Sequence, residues 1–239
     1  MGFAIAVASG SGGAGKSTVA AHLADALSRT GLSTLLWELI PGVRCCDLLL
    51  GVDAVCFDLA DLLAHTCAPG EACVPVHDGL RLLAAPLDYA VFPDAPDVCT
   101  IGGELVHGFD AVVLDLGCGG ASLRAAARAD YVLFCCTPDT LSANACERAV
   151  RYVERYAGGR LDAGLAVTKV PQTQAGRAAL PLTLPELIDL TGLPLKALLP
   201  DSYLLSPLRG QAGCLPPDSR ERGLFDALAS RLLESVRQA

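Results

Sequence analysis

Gly10, Gly15, Lys16 and Ser17 fill the fixed positions of the pattern G-x-x-x-x-G-K-[ST] within the run Ser9 to Thr18. That spacing serves phosphate chemistry. Glycines let successive backbone N–H groups curl around an anion, because no Cβ blocks the approach. Lys16 supplies a mobile point charge to the β- and γ-phosphates, and the Ser17 hydroxyl can ligate Mg²⁺. Gly10, Ser11, Gly12, Gly13, Ala14, Gly15, Lys16, Ser17 and Thr18 are therefore candidate nucleotide-binding residues. Two acids extend the set. Glu38 ends one apolar run and Asp115 ends another, Phe109–Asp115, followed by Leu116-Gly-Cys-Gly-Gly120. An acid at the C-terminal end of a parallel strand lies at the sheet edge where ligands bind. Asp115 suits a second Mg²⁺ contact and Glu38 a water-mediated one, although Glu38 reads equally as an ordinary strand-end charge. The candidates are thus Lys16, Glu38 and Asp115 for catalysis, and Ser17, Asp115 and Glu38 for metal.

These residues need elements to hold them. Residues 3–8 form a short apolar run that reads as a buried strand. Residues 17–30 have helical spacing, with Val19, Ala20, Leu23, Ala26 and Leu27 on one face and Gly31 as a stop. Strand, glycine loop and helix together form the context that a phosphate loop requires. Further strands are expected at 33–38, 80–84, 109–115, 129–137, 161–169 and 195–199. Helices are expected at 53–65, 98–106, 139–156, 183–191 and 223–236, with a polar loop at 170–180. The alternation predicts an α/β fold: a single doubly wound, mostly parallel sheet with helices on both faces, formed by residues 1–239 as one domain.

Composition narrows the class. Hydrophobic residues make up 52% of the 239 and charged residues 18%, enough apolar material for a core on both faces of a sheet. No apolar run approaches the roughly 18 residues that span a bilayer, and the N-terminus has no basic n-region, so a cytosolic chain is expected. The net charge of −8 disfavours broad nucleic-acid binding. Eleven cysteines, with no C-x-x-C, read mainly as small apolar fillers, with a metal or cluster site as the alternative.

Taken together, these segments resemble the MinD/ParA family of deviant phosphate-loop ATPases. Gly10-Ser-Gly-Gly-Ala-Gly-Lys-Ser-Thr18 is similar to that family's loop, and the stretch from Glu38 to Gly51 resembles its first switch. Val113-Leu-Asp115 and its glycines resemble the second switch, and Thr137-Pro-Asp139 the family's Thr/Asn-Pro-Glu turn. Thr168-Lys169 and Leu199-Pro200-Asp201 resemble the segments beside adenine, which makes Thr168, Lys169, Pro200 and Asp201 base-binding candidates. The resemblance implies ATP and Mg²⁺ as cofactors and homodimers that form with ATP.

Two departures stand out. Ser11 replaces the family's signature lysine, and Ile40 its second switch-I aspartate. The Ser11 hydroxyl can donate a hydrogen bond but cannot neutralise phosphate charge, and Ile40 cannot position water, so slow turnover is expected. Loss of the lysine resembles the CpaE/TadZ-like branch that localises pilus and secretion machines. The expected function is a spatial regulator acting on division, pilus or secretion machinery through a protein partner, which could also recruit it to the membrane periphery. The alternative is an ATP-dependent enzyme or an iron–sulfur carrier of the same fold, suggested by Cys118. The last helix balances Arg231 and Arg237 against Asp226 and Glu234, so packing on the domain is expected rather than membrane docking.

Overall fold

A computed structural model of the chain describes residues 2–40, 44–87, 105, 107–158, 161–206 and 213–238. Its centre is one eight-stranded sheet. The strands are β1 (Phe3–Ala8), β2 (Thr34–Leu39), β3 (Cys73–His77), β4 (Leu80–Leu83), β5 (Ala111–Leu116), β6 (Tyr131–Cys136), β7 (Ala163–Val170) and β8 (Leu195–Pro200). Their spatial order is β3-β4-β2-β5-β1-β6-β7-β8, parallel throughout except for β3, which runs antiparallel at the edge. The mostly parallel, doubly wound sheet read from the alternation is therefore the observed one.

The helices cover both faces. They are α1 (Lys16–Arg29), α2 (Cys46–Leu50), α3 (Leu59–Leu63), α4 (Pro69–Ala72), α5 (Gly120–Ala126), α6 (Thr140–Ala157), α7 (Gln174–Ala178), α8 (Leu184–Thr191) and α9 (Arg220–Gln238). Strand side chains alternate between faces. Ile5, Val7, Val113, Leu133 and Cys135 therefore pack under α1, α2 and α9, whereas Ala6, Ala8, Val112, Leu114, Phe134 and Cys136 pack under α3, α5, α6 and α8. The neighbours Cys135 and Cys136 serve opposite cores, both fully buried, as small apolar fillers would.

Differences from the sequence reading have local causes. The helix expected over 53–65 forms only at Leu59–Leu63, where Asp58 and Asp61 build a capping box. Strand β3 escapes periodicity because it contains Pro75 and its pattern of burial alternates weakly at the sheet edge. Thr173 caps the short α7 inside the expected polar loop. The helix expected at 98–106 lies outside the described residues except for Leu105, which is helical and buried. Helix α9 starts at Arg220 and lays Phe225, Leu228, Ala229 and Leu232 into the core. Arg29 of α1 reaches Asp226 of α9 at 2.6 Å, an exposed ion pair at the rim of the contact between the two helices.

Candidate functional site

Parallel register brings the carboxyl ends of the central strands to one edge. Glu38 pairs with Asp115 across β2 and β5, and Asp115 with Val7 of β1, two residues before Ser9. The loop from Ser9 to Gly15 leaves β1 at that edge. Gly13 (φ 73°) and Gly15 (φ 80°) take left-handed backbone, which side chains other than glycine adopt only with strain. Gly15 is the N-cap of α1, and no side chain caps that end. The first-turn amides of a fourteen-residue helix thus face the loop without a side-chain acceptor, the arrangement that receives an anion. Gly10 does something different. A Cβ there would lie 1.9 Å from the carbonyl oxygen of Ala145, so the loop crosses directly against the backbone of α6. From the other side, Thr168 Oγ1 at the end of β7 donates to the Ala14 carbonyl at 2.9 Å.

Lys16 is buried, and its ammonium donates to Ser9 Oγ at 3.1 Å and Cys118 Sγ at 3.0 Å. Glu38 is fully buried and accepts three hydrogen bonds from backbone amides. Its Oε1 accepts from the amides of Cys45 (2.7 Å) and Cys46 (3.0 Å), and its Oε2 from Ala85 (3.2 Å). It anchors the segment that leads into α2. Asp115 is also fully buried, but less satisfied. Its Oδ2 accepts from Cys46 Sγ at 3.5 Å, while Oδ1 has no hydrogen-bond partner among the described residues. Burial pushes the Asp115 carboxyl up to about 7, against the pull of the Ser17 side chain; Glu38 adds to the rise and Lys16 opposes it.

A cavity of about 400 Å³ opens beside these groups. Gly13, Gly15, Lys16, Ser17 and Thr18 line one end, and Thr168, Lys169, Pro200 and Asp201 line the other. The volume suits a nucleotide-sized ligand. Lys169 has φ 54°, and the amide of Asp201 donates to the Val170 carbonyl, so the two segments expected beside a base are held together. The other loop candidates sit off the cavity wall: Ala14 is buried, Gly12 is exposed, and Ser11 Oγ faces Ser142 Oγ of α6 at 3.4 Å. Ile40 is half-buried at the end of β2. Sequence reasoning missed several contributors. Cys45, Leu49, Ser202, Leu205, Ser206 and Phe225 also line the cavity, and Ser9 holds the lysine. Phe225 had no local signal, since it belongs to the core pattern of a distant helix.

The residues fit a magnesium-bound nucleoside triphosphate. The uncapped α1 terminus and Lys16 suit the phosphates, while Ser17 and the unpartnered Asp115 Oδ1 are oxygen donors of the type Mg²⁺ prefers.

Comparison with known proteins agrees with the fold and with a nucleotide as the ligand class. The model of the CobQ/CobB/MinD/ParA nucleotide binding domain matches residues 5–175. The septum site-determining protein MinD of Synechocystis sp. is 27% identical, covering 95% of this chain and 88% of its own. The cell division ATPase MinD of Pyrococcus furiosus superposes with a TM-score of 0.84 at 23% identity, over 98% of this chain and 99% of that one. MinD of Pyrococcus horikoshii, solved with Mg-ADP, gives a TM-score of 0.83 at 21% identity, over 97% and 96%. At such identities the structural likeness speaks for the fold.

Proposed function

The chain belongs to the CobQ/CobB/MinD/ParA nucleotide-binding family, and from that membership we propose that it is an ATP-dependent spatial regulator that binds nucleotide more readily than it hydrolyses it. The carrying observation is Lys16, held between Ser9 and Cys118 at the uncapped start of α1. On binding, the Lys16 ammonium exchanges those two partners for phosphate oxygens, a charge-assisted contact. The first-turn amides of α1 orient the same phosphates. Ser17 and Asp115 would hold Mg²⁺, which supplies charge neutralisation between the β- and γ-phosphates. The base lies toward Thr168, Lys169, Pro200 and Asp201.

Weak turnover follows from the residues at two positions where the family carries charge. Ser11 offers only a hydroxyl, already turned toward Ser142. Ile40 presents no group that could orient water, and Glu38 is occupied by three amides. Positioning and charge stabilisation carry most of phosphoryl-transfer catalysis, so the chain keeps the binding parts and lacks the rate-giving ones. Such a protein acts by state: the ATP-bound form pairs with a second copy and is read by a protein partner of a division, pilus or secretion system.

The test is single-turnover hydrolysis together with light scattering, with and without ATP and Mg²⁺. Wild type should bind ATP, dimerise and turn over slowly, Lys16→Ala should lose binding, and Ser11→Lys should raise the rate. Wild-type turnover equal to that of a family member carrying the lysine would sink the proposal. The iron–sulfur reading finds less support. Among the described residues Cys118 joins no group of metal-capable side chains, and its sulfur faces an ammonium.

A further inference from the structure

Beneath the phosphate loop, Glu38, Cys45, Cys46 and Asp115 converge. One potential ligand atom from each, two thiol sulfurs and two carboxylate oxygens, lies within 4.8 Å of the others. We propose that this cluster is a site for a thiophilic divalent cation of the Zn²⁺ class, assembled by the protein alone.

Four observations support it. First, Asp115 is fully buried and only partly satisfied: Oδ2 accepts from Cys46 Sγ at 3.5 Å, while Oδ1 has no hydrogen-bond partner among the described residues. A buried, unmatched carboxylate oxygen is costly unless something satisfies it. Second, two acids are placed side by side by strand register with no ion-pair partner for either among the described residues. Lys16, the nearest cation in the loop, is engaged by Ser9 and Cys118 instead. Third, the thiols are built in. Glu38 Oε1 clamps the amides of both Cys45 and Cys46, and the Arg44–Asp47 ion pair at 3.0 Å brackets them. Fourth, there is an entry path, because Cys45 is half-buried and lines the nucleotide cavity.

The donor set selects the ion. Mg²⁺ and Ca²⁺ take oxygen ligands, whereas thiolate favours softer metals. Cysteine sulfur and carboxylate oxygen are both ordinary Zn²⁺ ligands in four-coordinate sites. Binding is a substitution at two thiols: each S–H bond breaks, two metal–sulfur bonds form, and two protons leave to solvent. No electron transfer is involved. Because Asp115 is also the candidate Mg²⁺ ligand, the two ions exclude each other at its carboxylate. The proposed occupation needs no nucleotide, so it stands apart from the ATP reading.

The experiment uses the nucleotide-free full chain, stripped with chelator and titrated with Co²⁺ as an optical stand-in for Zn²⁺. Wild type should develop a thiolate-to-cobalt charge-transfer band at one ion per chain, bleached by Zn²⁺. Cys45→Ser, a half-buried position that should fold normally, should weaken the affinity about 10–100-fold or more, since even loss of an outer-shell partner costs that much. Cys45→Ser/Cys46→Ser should abolish the band, with folding checked by circular dichroism. Cys118→Ser should retain it. His77→Ala should retain it too, although His77 belongs to a second group with Asp25 and Cys214 that could take a metal. Absence of the band in wild type would overturn the proposal. So would persistence of the band in folded Cys45→Ser at full affinity, or its loss in Cys118→Ser or His77→Ala.

Discussion

Gly10→Ala should damage this protein through packing rather than through the phosphate. The added Cβ would stand 1.9 Å from Ala145 O, 2.1 Å from Ala145 C and 2.7 Å from Cys146 N, where ordinary contact begins at 3.4 Å. The gap must therefore open by about 1.5 Å, the difference between 3.4 and 1.9. The obstructing atoms are helix backbone and cannot swing aside. Helix α6 is itself fixed by Ala143, Cys146, Ala149, Val150 and Val153 in the core. The shift must be shared between the loop and α6, which places the cost at the upper end of overpacking, about 3 kcal/mol. For a chain of this size that corresponds to a fall in Tm of about 6–12 °C. A displaced loop also misaligns Lys16 and the α1 amides, and losing one charged hydrogen bond weakens ATP binding about tenfold. Gly12→Ala is the matched control: nothing lies within 4 Å of its Cβ and its φ is not positive. Thermal unfolding with and without a fluorescent ATP analogue reads both effects. If Gly10→Ala and Gly12→Ala melted within about 2 °C of each other and bound alike, the reasoning would be refuted.

Three further outcomes follow from the same geometry. Burial, against the raising effect of Asp25 and with a smaller lowering from Arg29, drops the His22 imidazole to about 4, its ring packed on Phe225. The unfolded chain then binds the extra proton between about 6.5 and 4, so stability present above that window is lost as pH falls through it. Wild type should lose about 2 kcal/mol more than His22→Asn between pH 7 and pH 5 in urea denaturation, and equal losses would contradict this. Thr168→Val removes the donor to Ala14 O and should cost about 1–2 kcal/mol, with Thr168→Ser restoring it; unchanged urea midpoints for Thr168→Val would count against that hydrogen bond. Cys118→Ala frees Lys16 of one competing acceptor and should tighten ATP binding about 2–10-fold by calorimetry, whereas weaker binding would show that Cys118 assists the ligand.

Much of the site was legible because its requirements are local. A left-handed turn at Gly13 and Gly15, a lysine at the first helical position and an acid at the end of an apolar strand each leave a mark within a few residues. The alternation of strands and helices likewise followed from periodicities of two and 3.6. Gly10 was legible as a motif position but not in its role, since Ala145, its obstacle, lies far along the chain.

The sequence by itself determined a phosphate loop on a parallel α/β sheet, and it located Lys16, Ser17 and Asp115. Tertiary structure decided what those groups touch. Register across β2 and β5 placed Glu38 beside Asp115, and the turn into α2 occupied Glu38 with amides while carrying Cys45 and Cys46 to the Asp115 carboxylate. The packing of α9 on α1 brought Phe225 into the cavity wall, and the loop after β5 put Cys118 against Lys16. Such contacts depend on strand order and helix packing, which join residues tens to hundreds of positions apart. Local backbone preference records the shape of each segment and carries no trace of its neighbour across the sheet.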